Sequence, residues 1–158
     1  MEPTLDVNER VLVNRVNYHF SDPDRGDIVV FHPPKGAEAN ICGVSHSQEQ
    51  PCPRPTPDRA TVNFIKRVVA IPGDTLSIQQ GHAVVNGRLQ KESFIRPCGG
   101  TSDCDYTQPI KIPANHFFMM GDNRGSSDDS RFWGPVPKKW IIGQAFFTYW
   151  PVGRIRVL

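Results

Sequence analysis

The sequence has no long hydrophobic run. None of its stretches reaches the roughly 18 to 20 consecutive apolar residues with which a helix crosses a bilayer. No N-terminal signal peptide is visible either. These absences exclude a membrane-spanning helix within the sequence, and we expect any anchor to lie upstream of Met1.

A strong charge of either sign and a metal-ligand pattern are also missing. Eighteen Lys and Arg face 16 Asp and Glu, giving a net charge of +2, which does not by itself indicate a nucleic acid partner. The four cysteines form no Cys-x-x-Cys pair, which argues against zinc. The acidic residues after position 121 do not fit a calcium loop. We therefore predict no metal, no other cofactor and no nucleic acid partner.

The few cysteines are spaced for short ring closures. Loop closure favours pairing Cys98 with Cys104 and Cys42 with Cys52, which would place the protein in an oxidising compartment. Four reduced, buried thiols are the alternative, and the pairing of Cys42 with Cys52 stays open at this point.

The residues that are abundant favour strands and loops. Fifteen prolines, 13 glycines and scattered Val, Ile and Phe runs predict a mainly β protein. Met1–Leu5 is expected to be an extended entry, and 35–60 a long surface loop. Asn86-Gly87 predicts a two-residue hairpin turn. Strands are predicted around 11–16, 27–31, 64–71, 75–78, 83–89, 117–120 and 140–150.

Two adjacent cations lie inside the apolar run 64–71. Strand alternation places Lys66 on the face of Phe64 and Val68, and Arg67 on the opposite face. Desolvation among apolar side chains lowers a lysine pKa and can leave the amine neutral enough to accept a proton. The alternative is an edge strand whose lysine reaches water.

A polar segment, 121–131, directly follows the apolar strand 117–120. It contains three Asp, two Arg and three Ser. If they are buried, their polar groups need internal hydrogen bonds and ion pairs. Arg124 and Arg131 are the expected partners of its carboxylates. We interpret the segment as a charge-paired scaffold that holds small hydroxyls in place.

Four segments, in order, resemble the conserved boxes of bacterial type I signal peptidases, and the resemblance covers almost the whole chain. They are Met1-x-Pro3-Thr4-Leu5, Arg25-Gly26-Asp27-Ile28-Val29-Val30-Phe31, Lys66-Arg67-Val68-Val69-Ala70-x-Pro72-Gly73-Asp74 and Gly121-Asp122-Asn123-Arg124-x-x-Ser127-x-Asp129-Ser130-Arg131. The spacing of Cys98 and Cys104 also resembles this family.

The resemblance implies a fold and a domain organisation. It predicts one catalytic domain, 1–158, with antiparallel sheets in a compact β-barrel-like core and a smaller inserted β region. We expect the core at 1–76 and 115–158, the insertion at 77–114 and a long loop at 33–62.

The resemblance also implies a serine endopeptidase that uses a Ser/Lys dyad to remove signal peptides after a small-x-small motif. Lys66 matches the general base, and Ser127 the hydroxyl that orients it. Asp122 with Arg67, and Asp129 with Arg131, match the supporting ion pairs. The residues that match the substrate-binding positions are Met1, Leu5, Val30, Phe64 and Ile65.

The family's nucleophilic serine stands immediately before the methionine of the first box. This sequence begins at that methionine, so we expect the chain as written to be inactive. A boundary placed one residue too late is favoured over a natural short form. The implied partners are exported preproteins and the lipid surface, for a monomer on the outer face of the cytoplasmic membrane, anchored upstream of this chain.

Other functions stay open. A non-catalytic peptide- or membrane-binding module would also be compatible with a missing nucleophile. An SOS-type self-cleaving repressor uses a similar dyad, but no helix-turn-helix is visible and Cys98-Gly99 is the only candidate scissile pair. A Ser/His/Asp triad is disfavoured because all five histidines lie outside the boxes.

Overall fold

Eleven strands and short helical turns make up the described structure. The computed structural model describes residues 1–99 and 104–158. The strands are β1 Arg10–Asn14, β2 Ile28–Phe31, β3 Phe64–Ala70, β4 Thr75–Gln79, β5 His82–Val85, β6 Arg88–Leu89, β7 Tyr106–Lys111, β8 His116–Met120, β9 Val136–Pro137, β10 Ile141–Trp150 and β11 Arg156–Val157. The α-helices are α1 Asn17–Phe20 and α2 Ser130–Trp133, and the 3-10 helices are Ala37–Ala39, Lys138–Trp140 and Val152–Arg154.

The strands form two antiparallel sheets. The larger has the order β1-β10-β2-β3-β8-β9, with β11 also paired to β10, and the smaller has the order β6-β5-β4-β7. The predicted mainly β, antiparallel class is therefore confirmed. Within the described residues β1 and β9 do not pair with each other, so the larger sheet is open rather than a closed barrel.

Two neighbouring strands of the larger sheet, β3 from Val68 onward and β8 from Phe117 onward, are apolar on both faces because each face packs against a different core. On one face, Val69, Phe118 and Met120 pack with the smaller sheet. On the other, Val68 and Met119 belong to a cluster that includes the buried Trp133 and Trp140. Continuous burial of this kind explains why these segments read as unbroken apolar runs.

The hairpin turn of the smaller sheet lies at the residues where the sequence predicts it. Asn86 and Gly87 both have positive φ, 51° and 76°, and β5 pairs with β6 across them. This confirms the predicted two-residue hairpin, since such turns need left-handed backbone at both positions. The strands of this sheet begin at Thr75 and end at Lys111; the division into 1–76, 77–114 and 115–158 stays a prediction.

The N-terminal box differs from the extended entry that the sequence predicts. Residues 1–5 form a turn in which Leu5 N donates to Met1 O at 3.1 Å. Leu5 is buried with Ile28 and Ala145, and Thr4 Oγ1 donates to Asp122. Burial of Leu5 and the hydrogen bond of Thr4 therefore fold the segment back onto the larger sheet.

Both favoured cysteine pairs are disulfides. Cys42 is joined to Cys52, and Cys98 to Cys104, so the described residues contain no free cysteine. The first disulfide closes part of the long loop, which also contains a 3-10 helix and a bridge between Pro34 and Arg59. No helix in the described part of the chain has the length and apolar character needed to cross a bilayer.

A buried carboxylate joins the two sheets. Asp74, in the turn between β3 and β4, accepts hydrogen bonds from Arg25 Nε at 2.8 Å, Ile71 N at 2.9 Å and Asn86 Nδ2 at 2.9 Å. Burial alone would raise the pKa of Asp74, but these hydrogen bonds hold it below the usual 3.8. A depressed carboxyl pKa stabilises the fold above pH 3.8, and that contribution is lost as the pH falls further.

We expect Asp74→Asn to lower the free energy of unfolding at pH 7 by about 1–3 kcal/mol, because a charged acceptor of several hydrogen bonds is removed. The loss should shrink as the pH falls below 4, which urea unfolding at a series of pH values would measure. The exposed Asp58→Asn serves as the control. An equal loss of unfolding free energy at pH 7 and at pH 3 would contradict a depressed pKa for Asp74.

Candidate active site

The site is built where β3 meets the polar segment that follows β8. Lys66 lies on β3, opposite Val29 of β2, and its Nζ donates to Ser127 Oγ at 2.8 Å. Its Nζ also lies 5.9 Å from the centre of the Phe64 ring. The predicted lysine and hydroxyl, 61 positions apart, are therefore in direct contact.

The surroundings of Lys66 oppose its protonation. Burial lowers the pKa of Lys66 below its usual value, while the charges of Asp129 and Asp128 act in the opposite direction. Asp129 does not contact the amine through a hydrogen bond; instead its carboxylate accepts from Arg131 Nε at 2.8 Å and from Gly121 N at 3.1 Å. A neutral amine within reach of a hydroxyl is the arrangement that general-base chemistry needs.

Close packing makes glycine necessary at position 121. A Cβ at Gly121 would lie 2.7 Å from Ser127 Cβ and 3.4 Å from Lys66 Nζ. Any side chain would therefore push Ser127 away from Lys66. The glycine that opens the fourth sequence box is explained by this contact between backbone and side chain.

The two predicted ion pairs are present in the structure. Arg67 Nε and Nη2 donate to the two oxygens of Asp122 at 2.9 and 2.7 Å, and Arg131 is paired with Asp129. Asp129 also accepts from Arg131 N as the N-cap of α2. Burial alone would raise the pKa of Asp129, but the charge of Arg131 holds it below the usual range.

Arg124 has a different partner from the one that the sequence predicts. Rather than a carboxylate of its own segment, it binds Glu92, with Nη2–Oε1 at 2.6 Å and Nη1–Oε2 at 2.9 Å. It also donates to Gly121 O at 3.1 Å. Asp122 and Asp129 are bound by Arg67 and Arg131, and Asp128 is exposed and accepts from Asn40 Nδ2 at 3.1 Å. The buried guanidinium of Arg124 therefore takes its carboxylate from outside the segment.

Sequence reasoning missed Glu92, Thr4 and Ser130. Glu92 anchors Arg124, Thr4 Oγ1 donates to the Asp122 carboxylate, and Ser130 Oγ accepts from Met119 N at 3.0 Å. Thr4 and Ser130 lie inside the recognised boxes, so their position was a usable signal. Glu92 lies outside every box, and no local pattern distinguishes it from an exposed glutamate.

A cavity of about 600 Å³ opens beside the lysine. It brings together all of the predicted substrate-binding residues with both predicted catalytic residues: Met1, Leu5, Val30, Phe64, Ile65, Lys66 and Ser127. Met1 and Val30 also pack against the cluster of Leu5 and Ile28. In residues 1–99 and 104–158, no three His, Cys, Asp or Glu side chains are grouped as metal ligands.

Comparison with known proteins identifies similar chains. The family described as signal peptidase, peptidase S26, matches residues 1–150. Signal peptidase I of Leptolyngbya laminosa is 40% identical over 156 residues, covering 98% of this chain and 66% of the relative. A probable signal peptidase I-2 of Synechocystis sp. is 35% identical over 158 residues, covering 100% and 62%.

A plant protein is also similar. The probable thylakoidal processing peptidase 2, chloroplastic, of Arabidopsis thaliana is 38% identical over 156 residues, covering 98% of this chain and 37% of the relative. The chain thus spans less than two thirds of the length of these three curated relatives.

The depressed pKa of Lys66 has a measurable consequence for stability. The unfolded chain takes up a proton at the usual 10.5, whereas the folded chain does so only at lower pH. The lysine therefore destabilises the fold below its folded pKa, and the destabilisation disappears as the pH rises to 10.5. Lys66→Met should consequently raise the thermal midpoint at pH 7, with a gain that shrinks towards pH 10.5.

Thermal unfolding of the variant and the unsubstituted chain across this pH range would measure the effect. Lys35→Met, at an exposed lysine, is the matched control and should show no such pH-dependent gain. A gain for Lys66→Met that is constant with pH would contradict desolvation as its cause.

Proposed function

Because the chain belongs to the signal peptidase family, peptidase S26, we propose that it forms the catalytic domain of a serine endopeptidase that removes signal peptides from exported preproteins. The observation that carries the proposal is the contact between Lys66 Nζ and Ser127 Oγ, 2.8 Å, beside the cavity lined by Met1, Leu5 and Val30. A serine endopeptidase that lacks a histidine base needs a neutral lysine in such a place.

In this proposal Lys66 is the general base and Ser127 positions it. The Lys66 amine takes the proton of the nucleophilic hydroxyl as that oxygen attacks the scissile carbonyl carbon. The C–N bond then breaks, the leaving amine receives the proton, and water hydrolyses the resulting ester. Ser127 Oγ accepts a hydrogen bond from one N–H of the Lys66 amine. This contact restricts rotation of the amine and leaves its lone pair free to face the nucleophile.

The nucleophile in this proposal is a serine immediately before Met1 in a longer chain. Met1 lines the same cavity as Lys66 and Ser127. Burial and then the charge of Lys66 lower the pKa of the Met1 amino group, which supports placing a residue joined to that nitrogen on the lysine's side of the cavity. The backbone N–H of that serine and a nearby hydroxyl would bind the oxyanion, and one such donor typically contributes about 100- to 1,000-fold to the rate.

The cavity suggests how a substrate would bind. β8 pairs with β3 from Arg67 onward, whereas Phe64–Lys66 pair only with β2 in the described part of the chain. An extended peptide could add as a strand along this open side, with its backbone hydrogen-bonded near Ile65. Alternate side chains would then enter the cavity beside Leu5 and Val30, and a preference for small residues at these positions is part of the proposal.

We also propose that the domain acts at the outer face of a membrane, as a monomer. Several apolar side chains near the C-terminus are exposed, including Trp150 at 50%, Tyr149 at 42% and Val152 at 70%. Trp and Tyr favour the interface between lipid and water. The two disulfides suit an oxidising, extracytoplasmic compartment.

The enzyme proposal is tested by joining the native upstream residues, ending in serine, to Met1. A preprotein with Ala-x-Ala before its cleavage point should then be cut after that motif, and the matched chain ending in alanine should not cut it. A folded serine-containing protein that binds a signal peptide without cleaving it would replace the enzyme proposal with that of a peptide-binding module.

In the cleaving protein, Lys66→Arg should lower kcat by about 100- to 10,000-fold, the usual contribution of a general base, because a guanidinium stays protonated. Steady-state cleavage of a signal-peptide substrate would measure it. Lys91→Arg, at an exposed lysine, is the matched control. Turnover retained within tenfold would remove Lys66 from the role of base.

Ser127→Ala should lower kcat by about 10- to 150-fold with little change in KM, because a hydrogen bond to a charged or reacting group contributes about 1.5–3 kcal/mol. The pH–rate profile should move as the contact with Lys66 is lost. Ser127→Thr, which keeps a hydroxyl, is the conservative comparison. An unchanged kcat for Ser127→Ala would reduce the residue to a part of the scaffold.

A further inference from the structure

A second cavity, of about 770 Å³, shares no lining residue with the candidate active site. We define it as the basic cavity. It is formed by the segment around α1, the end of β2, the turn before β8 and the 3-10 helix that precedes β10. Its volume lies within the roughly 300–1,000 Å³ that small-molecule sites occupy.

The charge of the basic cavity is of one sign. Its lining includes four permanent cations, Arg15, Arg59, Lys138 and Lys139, and the described residues contribute no Asp or Glu to it. Of the four, Lys138 Nζ is paired with Asp22 at 2.6 Å. Arg15, Arg59 and Lys139 have no carboxylate within 4.0 Å among residues 1–99 and 104–158. Uncompensated cations that converge on one concave surface attract an anion.

In two histidines of the cavity, one ring nitrogen already makes a hydrogen bond to a backbone carbonyl. His32 Nδ1 lies 3.2 Å from Val62 O, and His116 Nδ1 lies 2.8 Å from Ala114 O. A carbonyl oxygen only accepts, so Nδ1 carries the hydrogen in both rings and Nε2 stays available. With the hydrogen on Nδ1, Nε2 of a neutral ring is an acceptor, which can take a hydrogen bond from the hydroxyl of a monoprotonated phosphate held by the neighbouring guanidinium groups.

Backbone hydrogen bonds join the segments that form the cavity. His32 N donates to Trp140 O at 2.9 Å, Lys138 N to Asn115 O at 2.8 Å, and Ala60 N to Pro33 O at 2.8 Å. The last of these fixes the position next to Arg59 in the long loop. A ligand would therefore meet cations whose backbone is already in place, which reduces the entropy lost on binding.

Most of the remaining wall is apolar or aromatic. Trp140 and Tyr18 are buried, and Ile141 and Ile142 are half-buried at the start of β10. Arginine binds phosphate oxygens through paired N–H donors. We propose that the basic cavity binds a phosphate group that carries an apolar or aromatic body, with Arg15 and Arg59 as its main partners.

Two sources can supply this chemistry, a soluble phosphate ester and a phospholipid headgroup. Calorimetric titration with inorganic phosphate and phenyl phosphate tests the first. Sedimentation with phosphatidylglycerol vesicles, compared with phosphatidylcholine vesicles, tests the second. Saturable binding of phenyl phosphate, tighter than that of inorganic phosphate, supports the soluble source; binding only to phosphatidylglycerol vesicles supports the lipid source.

In either case, Arg15→Gln/Arg59→Gln should weaken binding by about tenfold or more, since it removes two charge-assisted contacts. Arg10→Gln/Arg88→Gln removes the same charge from exposed positions outside the cavity and should leave binding within twofold. Thermal unfolding checks that both variants fold. Equal weakening by the two variants, or no saturable binding of any of these probes, would overturn the proposal.

Discussion

The structure depends on a lysine amine that is kept out of water without being given a carboxylate of its own. Lys66 donates to the neutral hydroxyl of Ser127, while Asp129 is bound by Arg131 and by Gly121 N. A direct contact between Asp129 and the amine would favour the ammonium form and raise the pKa of Lys66. By binding Asp129, Arg131 keeps that charge at a distance, so burial remains the largest influence on the lysine.

The segment that carries Ser127 is held by buried guanidinium groups that bind its backbone. Arg131 Nη2 donates to Arg124 O at 2.7 Å and to Ser127 O at 3.1 Å, and Arg124 Nε donates to Gly121 O. A buried cation is stable only when it is paired, and breaking such a pair is strongly destabilising. Glu92 supplies the pair for Arg124 from the region of the smaller sheet. That sheet is therefore connected to the active site through charge as well as through apolar packing.

The sequence-based predictions succeed where a structural feature is set by neighbouring residues, and they fail where it is set by residues far apart in the sequence. The Asn86-Gly87 hairpin follows from backbone conformation, and the setting of Lys66 from strand alternation. The contact of Lys66 with Ser127 was expected because the family motif relates them, not because of any local rule. Thr4 and Asp122, 118 positions apart, and Arg124 and Glu92, 32 apart, meet only in the folded chain. The prediction of an extended N-terminal segment was wrong because Thr4 donates a hydrogen bond to the distant Asp122.

The two cavities divide along β2. Val30 lines the cavity beside Lys66, and His32, two positions further, lines the basic cavity. Between them Phe31 is fully buried against Phe64 and Trp133, with ring centres 6.5 and 6.0 Å apart. A close-packed aromatic group of this kind resists displacement. Arg15 and Arg59 lie outside the cavity beside Lys66, so the proposed anion binding and the proposed peptide cleavage can be tested independently in the same protein.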